Sequence, residues 1–337
     1  MAHPRSLALS LAVCLVVTPA CKSSDGGDGS DAGGNLGASS PDAAGGATDD
    51  ADVAGGTSPG DGATGGPSTS DAGLDSGVGG DAAASPDPCA TVRFCENFEG
   101  YEAGAPPAAN WKVETNLGAV SVVTDQHFDG QKSARFTTQS STGDKTAYLR
   151  LDVASVFPVP GNAYYGRMMS RLESAPDQSV HWTFIQAGGP VPGQDYHALY
   201  RYGGQQPVTA DGGFVGSQLM ANYDTPDSYS GTGPSSDCWN HAKGTVVPVE
   251  RWACIEWQFD GPNNSMHFWL DGAPVDSLTV AGLGQGCVHQ PQTFPWTAPD
   301  FSTLELGWES YQGDSARTLY LDDIVISTER VGCPSVP

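Results

Sequence analysis

The chain has 337 residues, with 39 Asp and Glu against 15 Lys and Arg, and a net charge of −24 at pH 7. That balance excludes nucleic acid as a partner, because no basic stripe is present to displace counterions from phosphates. The cysteines and histidines do not cluster at metal-ligand spacing, which argues against a zinc site.

Residues 1–20 read as a signal peptide: His3 and Arg5 precede an apolar run from Leu7 to Val17 that is too short to span a bilayer as a mature helix. Cys21 follows a small residue, as the lipid-bearing cysteine of a bacterial lipoprotein does; ordinary cleavage after Ala20 is the alternative. From residue 21 to residue 88 the chain is almost wholly Gly, Ala, Ser, Thr, Pro and Asp, without one aromatic side chain. Such a segment cannot bury enough apolar surface to offset its ordering entropy, so a disordered tether is expected. The protein is therefore expected outside the cytoplasm, either in the cell envelope or extracellular, touching membrane only through a lipid on Cys21.

Residues 89–337 hold 27 acidic side chains against 13 Lys and Arg. Short alternating runs fill this part: Ser133 to Thr138, Ala147 to Val153, Tyr164 to Leu172, Val180 to Ala187, Leu199 to Tyr202 and Leu219 to Tyr223. Trp182 and Phe184 are expected in the core, with His181, Thr183 and Ile185 on the opposite face; likewise Tyr200 and Tyr202 oppose His197, Leu199 and Arg201. Arg251 to Asp260 and Met266 to Asp271 flank Gly261-Pro262-Asn263-Asn264, which reads as a hairpin. No helical stripe exceeds about two turns. The pattern predicts an all-β fold, a jelly-roll (concanavalin-like) β-sandwich preceded by the tether, in one domain. Six cysteines in an exported domain suggest up to three disulfides. Cys254 lies in a strand and Cys333 just beyond the last one, so a clamp between them is expected.

The stretch from Thr303 to Ile324 carries the strongest signal. Leu304, Leu306 and Trp308 alternate with Glu305, Glu309 and Tyr311; Gln312-Gly313-Asp314 then reads as a turn into a returning strand that ends in Asp322 and Asp323. A carboxylate inside so apolar a strand is costly unless a cation meets it, which suggests a metal.

The segments Phe98-Glu99, Val180 to Ile185, Arg201-Tyr202-Gly203-Gly204-Gln205, Gly307 to Asp314, Asp322-Asp323-Ile324 and Arg330 to Cys333 occur in an order that resembles the family of the cellulose-induced protein of cellulolytic fungi. The resemblance spans most of Phe94 to Cys333, except for Asp211 to Lys243 and Gly282 to Pro299, which read as longer loops carrying Cys238 and Cys287. It implies a jelly roll similar to glucuronan lyases with a structural calcium ion. The expected ligands are Glu99, Asp322 and the backbone oxygens of Asp129 and Lys132. It also implies a lyase that cleaves an extracellular polyuronate by β-elimination, acting as a monomer.

That chemistry needs a cation or donor on the substrate carboxylate, a base for the C5 proton and an acid for the departing O4. His181, Arg201, Gln205 and Tyr311 match cleft positions of the family and are the catalytic candidates, Arg201 being expected to lower the pKa of Tyr311. His197, Asn222, Trp269 and Glu309 are candidate substrate contacts, and Asp224 or Asp227 could assist. Two other readings compete. Glu256, Glu305 and Glu309 could form a hydrolase acid pair. A non-catalytic carbohydrate-binding or adhesion lipoprotein could instead use Trp269 and Tyr311 as platforms, Trp257 being in phase with core residues.

Overall fold

Period-two alternation, not helical spacing, organises the polypeptide from its first described strand to its last. The computed structural model describes Cys89, residues 92–226 and residues 233–334. The signal peptide, Cys21, the tether and Asp227 lie outside the described residues.

In chain order the strands begin with β1 (Phe94–Glu96), β2 (Trp111–Asn116), β3 (Gly118–Val123), β4 (Ser133–Thr138), β5 (Lys145–Leu151) and β6 (Ala163–Leu172). They continue with β7 (Trp182–Pro190), β8 (His197–Ala210), β9 (Gly213–Thr225), β10 (Ser236–Val246), β11 (Ala253–Asp260) and β12 (Ser265–Leu270). The last five are β13 (Ala273–Pro274), β14 (Val280–Ala281), β15 (Gly286–Val288), β16 (Thr303–Ser310) and β17 (Arg317–Ser327).

These strands form two antiparallel sheets packed as a jelly-roll β-sandwich. The nine-stranded sheet runs β13-β12-β11-β6-β17-β4-β3, with β1 also on β17 and β14 on β12. The eight-stranded sheet runs β15-β10-β9-β8-β7-β16-β5-β2. The inward faces meet through aromatic rings. Trp182 of β7 stacks on Trp308 of β16 with centroids 4.7 Å apart, and Tyr202 of β8 stacks across the sandwich on Phe259 of β11 at 5.7 Å. Burying each such side chain stabilises the fold by about 2–3 kcal/mol, so the alternation of β7, β8, β11 and β16 fixes which face of each sheet is left for chemistry.

The hairpin expected around residues 261–264 is present as β11 and β12, with Ile255 opposite Leu270 and Asp260 opposite Ser265. Trp257 is fully buried, as its phase requires. Cys254 pairs with Cys333, Cys238 with Cys287 and Cys89 with Cys95. Beside the first of these, Glu256 is 1% exposed and meets Arg330 at 2.5 Å, which ties the C-terminus to β11.

Three expectations need correction. Thr303 to Ile324 is not a hairpin: β16 pairs with β5 and β7 in one sheet, whereas β17 pairs with β4, β6 and β1 in the other. Both runs have a strongly apolar face, and two such faces bury more area opposed across a core than side by side. Asp211 to Lys243 and Gly282 to Pro299 are not simply long loops, since they supply all of β9, most of β10 and all of β15. Finally, the β7–β8 register shifts between Thr183 and Ile185. This bulge turns Ile185 and Ala187 into the core alongside Trp182 and Phe184, and sends Gln186 to the outer face in place of Ile185.

Candidate active site

The outer face of the eight-stranded sheet carries the polar cluster. Four neighbouring strands deliver it: Arg201 from β8, Glu309 from β16 with Tyr311 just past its end, Tyr148 from β5, and His181 immediately before β7. The Arg201 guanidinium lies 5.3 Å from the centre of the Tyr311 ring, and the His181 ring is 4.6 Å from the same ring on centroids. Hydrogen bonds between the start of β7 and the end of β16 hold the tyrosine in place. Its backbone N–H donates to the His181 carbonyl at 3.0 Å, and the His181 N–H donates to Gln312 Oε1 at 2.7 Å.

The Tyr311 hydroxyl donates to Glu309 Oε2 at 2.7 Å and lies 3.4 Å from Thr183 Oγ1. The Tyr148 hydroxyl also reaches Glu309 Oε2, at 3.3 Å. Arg201 Nη1 meets Asp224 Oδ2 at 2.7 Å, while Arg201 Nε, although buried, has no hydrogen-bond partner among the described residues. The pairing of Arg201 with Asp224 follows from their closeness across β8 and β9, where Asp224 faces Leu199 and Asn222 faces Arg201.

Burial sets the protonation of this cluster. Tyr311 has its pKa raised well above the usual phenol value, chiefly by burial, with Arg201 pulling down and Glu309 pushing up. Arg201 does pull the phenol pKa down as expected, but desolvation of the phenolate outweighs its charge and the net shift is upward. His181, 7% exposed, has its pKa lowered to about 4, first by burial and further by Arg201 and His241, against an upward pull from Asp237. Its Nε2 has no hydrogen-bond partner among the described residues, and Nδ1 is 3.8 Å from Asp237 Oδ2. The imidazole is neutral at pH 7 and the phenol keeps its proton. Asp224 and Glu305 are both raised, mainly by burial.

Two depressions flank the Arg201–Tyr311 contact. One, of ≈ 280 Å³, is lined by Tyr148, Gln186, Arg201, Glu305 and Glu309 among others; the second, of ≈ 290 Å³, includes His181, Gln205 and Asp237. All four catalytic candidates are thus on one face. Glu309 joins them as a hydrogen-bond partner of Tyr311, and Asn222 lies beneath as a positioning residue that donates to Asp237 Oδ1 at 2.6 Å.

His197 stands at the start of β8, opposite Pro190, one turn of alternation beyond Leu199 and away from the cluster. Trp269 is not a contact for this site. It lies on β12 in the other sheet, 4.5 Å beneath the Arg330 guanidinium and stacked with His267. Glu256 sits in that sheet too, so it cannot form an acid pair with Glu305 or Glu309. Tyr148, Asp224 and Gln186 were missed as site residues or left unassigned. The phase of β5, with Ala147, Leu149 and Leu151 buried in the core, was a sufficient signal for Tyr148.

The candidate cation site is at the opposite sheet. β4 pairs with Arg317 to Leu321 of β17, and β1 pairs with Ile324 to Ile326, so the edge is open at Asp322 and Asp323. A loop fills this gap. Phe128 N–H donates to Asp322 Oδ2 at 2.9 Å, and Glu99 Oε1 accepts from the N–H groups of Gln131 and Lys132 at 2.7 and 2.8 Å. Gly130, at φ +64°, allows the loop to pass against Glu99, where a side chain would clash with the carboxylate. Asp322 is fully buried, enters no ion pair among the described residues, and has its pKa pushed up to about 7 by burial. Its oxygens accept backbone N–H groups from Phe128, Asp129 and Asp323 but meet no cationic side chain among the described residues, and a buried carboxylate so placed fits a hard cation. Asp129 turns its carboxylate to its neighbour's Gly130 N–H, and Lys132 Nζ donates to the carbonyls of Glu99 and Tyr101. The Lys132 ammonium is thus spent on carbonyls and repels an ion, so only the backbone oxygen of Lys132 remains as a ligand. Among the described residues, the one set of three close ligating side chains is Cys254, Glu256 and Cys333, whose sulfurs are spent in a disulfide.

A family model described as Cip1-like, core domain, of the polysaccharide lyase-like group, matches residues 101–329. Among solved structures, cellulose induced protein Cip1 is 21% identical, with 72% of this chain and 100% of that chain covered and a TM-score of 0.48. Endo-β-1,4-glucuronan lyase from the fungus Trichoderma reesei is 16% identical, covering 71% and 96%, with a TM-score of 0.47. Alginate lyase vAL-1 from a Chlorella virus is 12% identical, covering 65% and 93%, with a TM-score of 0.40. No curated protein matches the chain.

Proposed function

Because the chain belongs to the Cip1-like core-domain family of polysaccharide lyase-like proteins, we propose that it cleaves a uronate-containing extracellular polysaccharide by β-elimination at Arg201, Tyr311 and His181. One observation carries this reading: an unspent guanidinium donor, a phenol that retains its proton and a neutral imidazole with one basic nitrogen free converge on the same outer face.

Each group answers one demand of the reaction. Arg201 Nε receives the substrate carboxylate, whose charge otherwise suppresses the acidity of C5. Neutral His181 takes the C5 proton at Nε2, and Asp237 favours the imidazolium that forms. The C5–H electron pair becomes the C4=C5 double bond as the C4–O4 bond breaks, and the Tyr311 hydroxyl gives its proton to the departing O4. The phenolate left behind lies next to Arg201. Proton return from His181 to Tyr311 restores both groups. Gln205 supports the sugar beside His181, and Glu309 orients the phenol through its 2.7 Å hydrogen bond.

The same reading includes export, which three disulfides among the described residues favour, and attachment to the envelope through a lipid on Cys21. It also includes a structural calcium ion held by Glu99, Asp322 and the backbone oxygens of Asp129 and Lys132. When bound, such an ion offsets the Asp322 charge where the first and last strands meet.

A second reading, binding of a neutral glycan without cleavage, is favoured by the charge of the hollow. Arg201 is already paired with Asp224, and Glu114, Glu305 and Glu309 share the depression with Arg150. Incubating the purified protein with glucuronan, alginate and neutral glucans, while following the ultraviolet absorbance of the unsaturated uronate, separates the two. Product from a uronan that disappears in Arg201→Ala supports elimination. Retention on a neutral glucan with no product from any uronan would favour binding alone.

A further inference from the structure

We propose that β10 and β15, at the edge of the eight-stranded sheet, carry a separate sugar-binding subsite in which Trp239 is the stacking platform for an uncharged pyranose. The inference rests on the reading of this face as a polysaccharide cleft and extends it to a substrate class: a heteroglycan with a uronate at Arg201 and a neutral sugar beyond it.

The alternation of β10 creates the surface. Cys238 and Ala242 are fully buried in the core, which leaves Asp237, Trp239 and His241 on the outer face. The disulfide from Cys238 to its cross-strand partner Cys287 fastens β15 to β10 from the core side. On the outer side, Trp239 lies opposite Gly286, and its six-membered ring covers that glycine so closely that any side chain there would strike it. The indole is thereby laid over the sheet with one face supported by backbone. An aromatic ring supported this way presents a negative π-face to the C–H bonds of a pyranose.

The adjoining depression of ≈ 290 Å³ is lined by Trp239, His241, Asp237, Gln205, Gln206 and His181 among others. It borders the reaction centre at His181, whose ring is 4.6 Å from that of Tyr311. His241 has a buried Nδ1 without a hydrogen-bond partner among the described residues, as does His181 at Nε2. Sugar hydroxyls, which donate and accept equally, suit two imidazoles whose protonation is disfavoured by burial. No Lys or Arg lines this depression and Asp237 does, so beyond the uronate held between Arg201 and His181 a neutral sugar is favoured over a second uronate.

The test measures binding of cellohexaose and of a glucuronan hexamer by calorimetry, alongside uronate elimination, for wild type, Trp239→Ala and Trp239→Phe with unchanged melting temperatures. Wild type binds cellohexaose, Trp239→Ala weakens that binding about tenfold, as loss of one desolvated aromatic contact does, and Trp239→Phe retains most of it. Equal cellohexaose affinity in wild type and Trp239→Ala would overturn the subsite. So would cleavage of the uronan by a wild type that binds no cellohexaose, and in that case the lyase reading stands. Trp239-dependent cellohexaose binding without elimination from any uronan keeps the subsite and removes the lyase. No binding and no cleavage would overturn both.

Discussion

The Arg201 guanidinium rests against the ring of Tyr311, 5.3 Å from its centre, while that residue's hydroxyl donates to Glu309. Burial keeps that phenol protonated in the resting protein, and the cation alongside is placed to receive the charge the proton leaves behind.

Replacing Tyr311 by Phe keeps the ring and the cation contact but removes the transferable proton. Turnover on a uronan is expected to fall about 10²-fold or more, with KM changed little, because the interaction is used in the transition state. Steady-state kinetics on a soluble uronan oligomer measure this. A proportionate rise in KM with kcat intact would instead make Tyr311 a binding residue.

Arg201→Lys preserves the charge and loses the planar fork, so the pairing with Asp224 and the unspent Nε donor cannot both be maintained. A drop in kcat/KM of at least tenfold is expected for a uronan, with neutral-glucan binding unaffected. Equal losses on both ligands would point to general disruption of the face.

His181 has its pKa lowered to about 4 from an ordinary 6.5, with Asp237, Arg201, His241 and Tyr311 around it. Between those two values the unfolded chain binds a proton that the folded site refuses. The contribution of this residue to stability is therefore lost as pH falls from about 6.5 towards 4. His181→Gln should flatten that part of the melting-temperature profile, measured from pH 7 to pH 4. The raised Asp224 and Glu305 act in the opposite sense, gaining protons in the folded state first. A variant profile parallel to wild type would contradict the assignment of a neutral buried imidazole.

Removing divalent cations with a chelator should lower the melting temperature by several degrees, restored by added calcium, since a ligand that binds only the folded state stabilises it by about 2.7 kcal/mol at one hundred times its dissociation constant. Asp322→Asn should abolish the calcium response. A melting temperature indifferent to chelator and to calcium would remove the ion from the account.

Arg330→Ala strands the buried Glu256 carboxylate without its partner. A loss of roughly 3 kcal/mol is expected from breaking such a pair by one member, read as a lowered denaturation midpoint. Elimination activity should persist, because Arg330, past the end of β17, pairs with Glu256 on the sheet that does not carry the site. Failure of activity at temperatures where the variant is folded would count against that separation.

Most of the layering was legible in the sequence, because strand alternation records which side chains are inward. Leu304, Leu306 and Trp308, Tyr200 and Tyr202, and Trp257 all follow their phase into the core. Alternation does not record partners. The runs on either side of Gln312-Gly313-Asp314 are locally a hairpin in every respect, yet they belong to different sheets. Nor does it record bulges: the one beside Thr183 exchanges Ile185 for Gln186 on the outer face. The protonation of Tyr311 was beyond reach for a further reason, since the charge of Arg201 can be inferred from residue type but the desolvation that outweighs it depends on four strands meeting.

An interior strand of the nine-stranded sheet, β17, follows all the other described strands in the sequence, and it pairs with β1, β4 and β6. Until it emerges, a nascent chain holds those earlier strands with unpaired edges, and the long sequence separations make closure slow. Truncation before Arg317 should consequently yield an aggregating polypeptide instead of a trimmed domain.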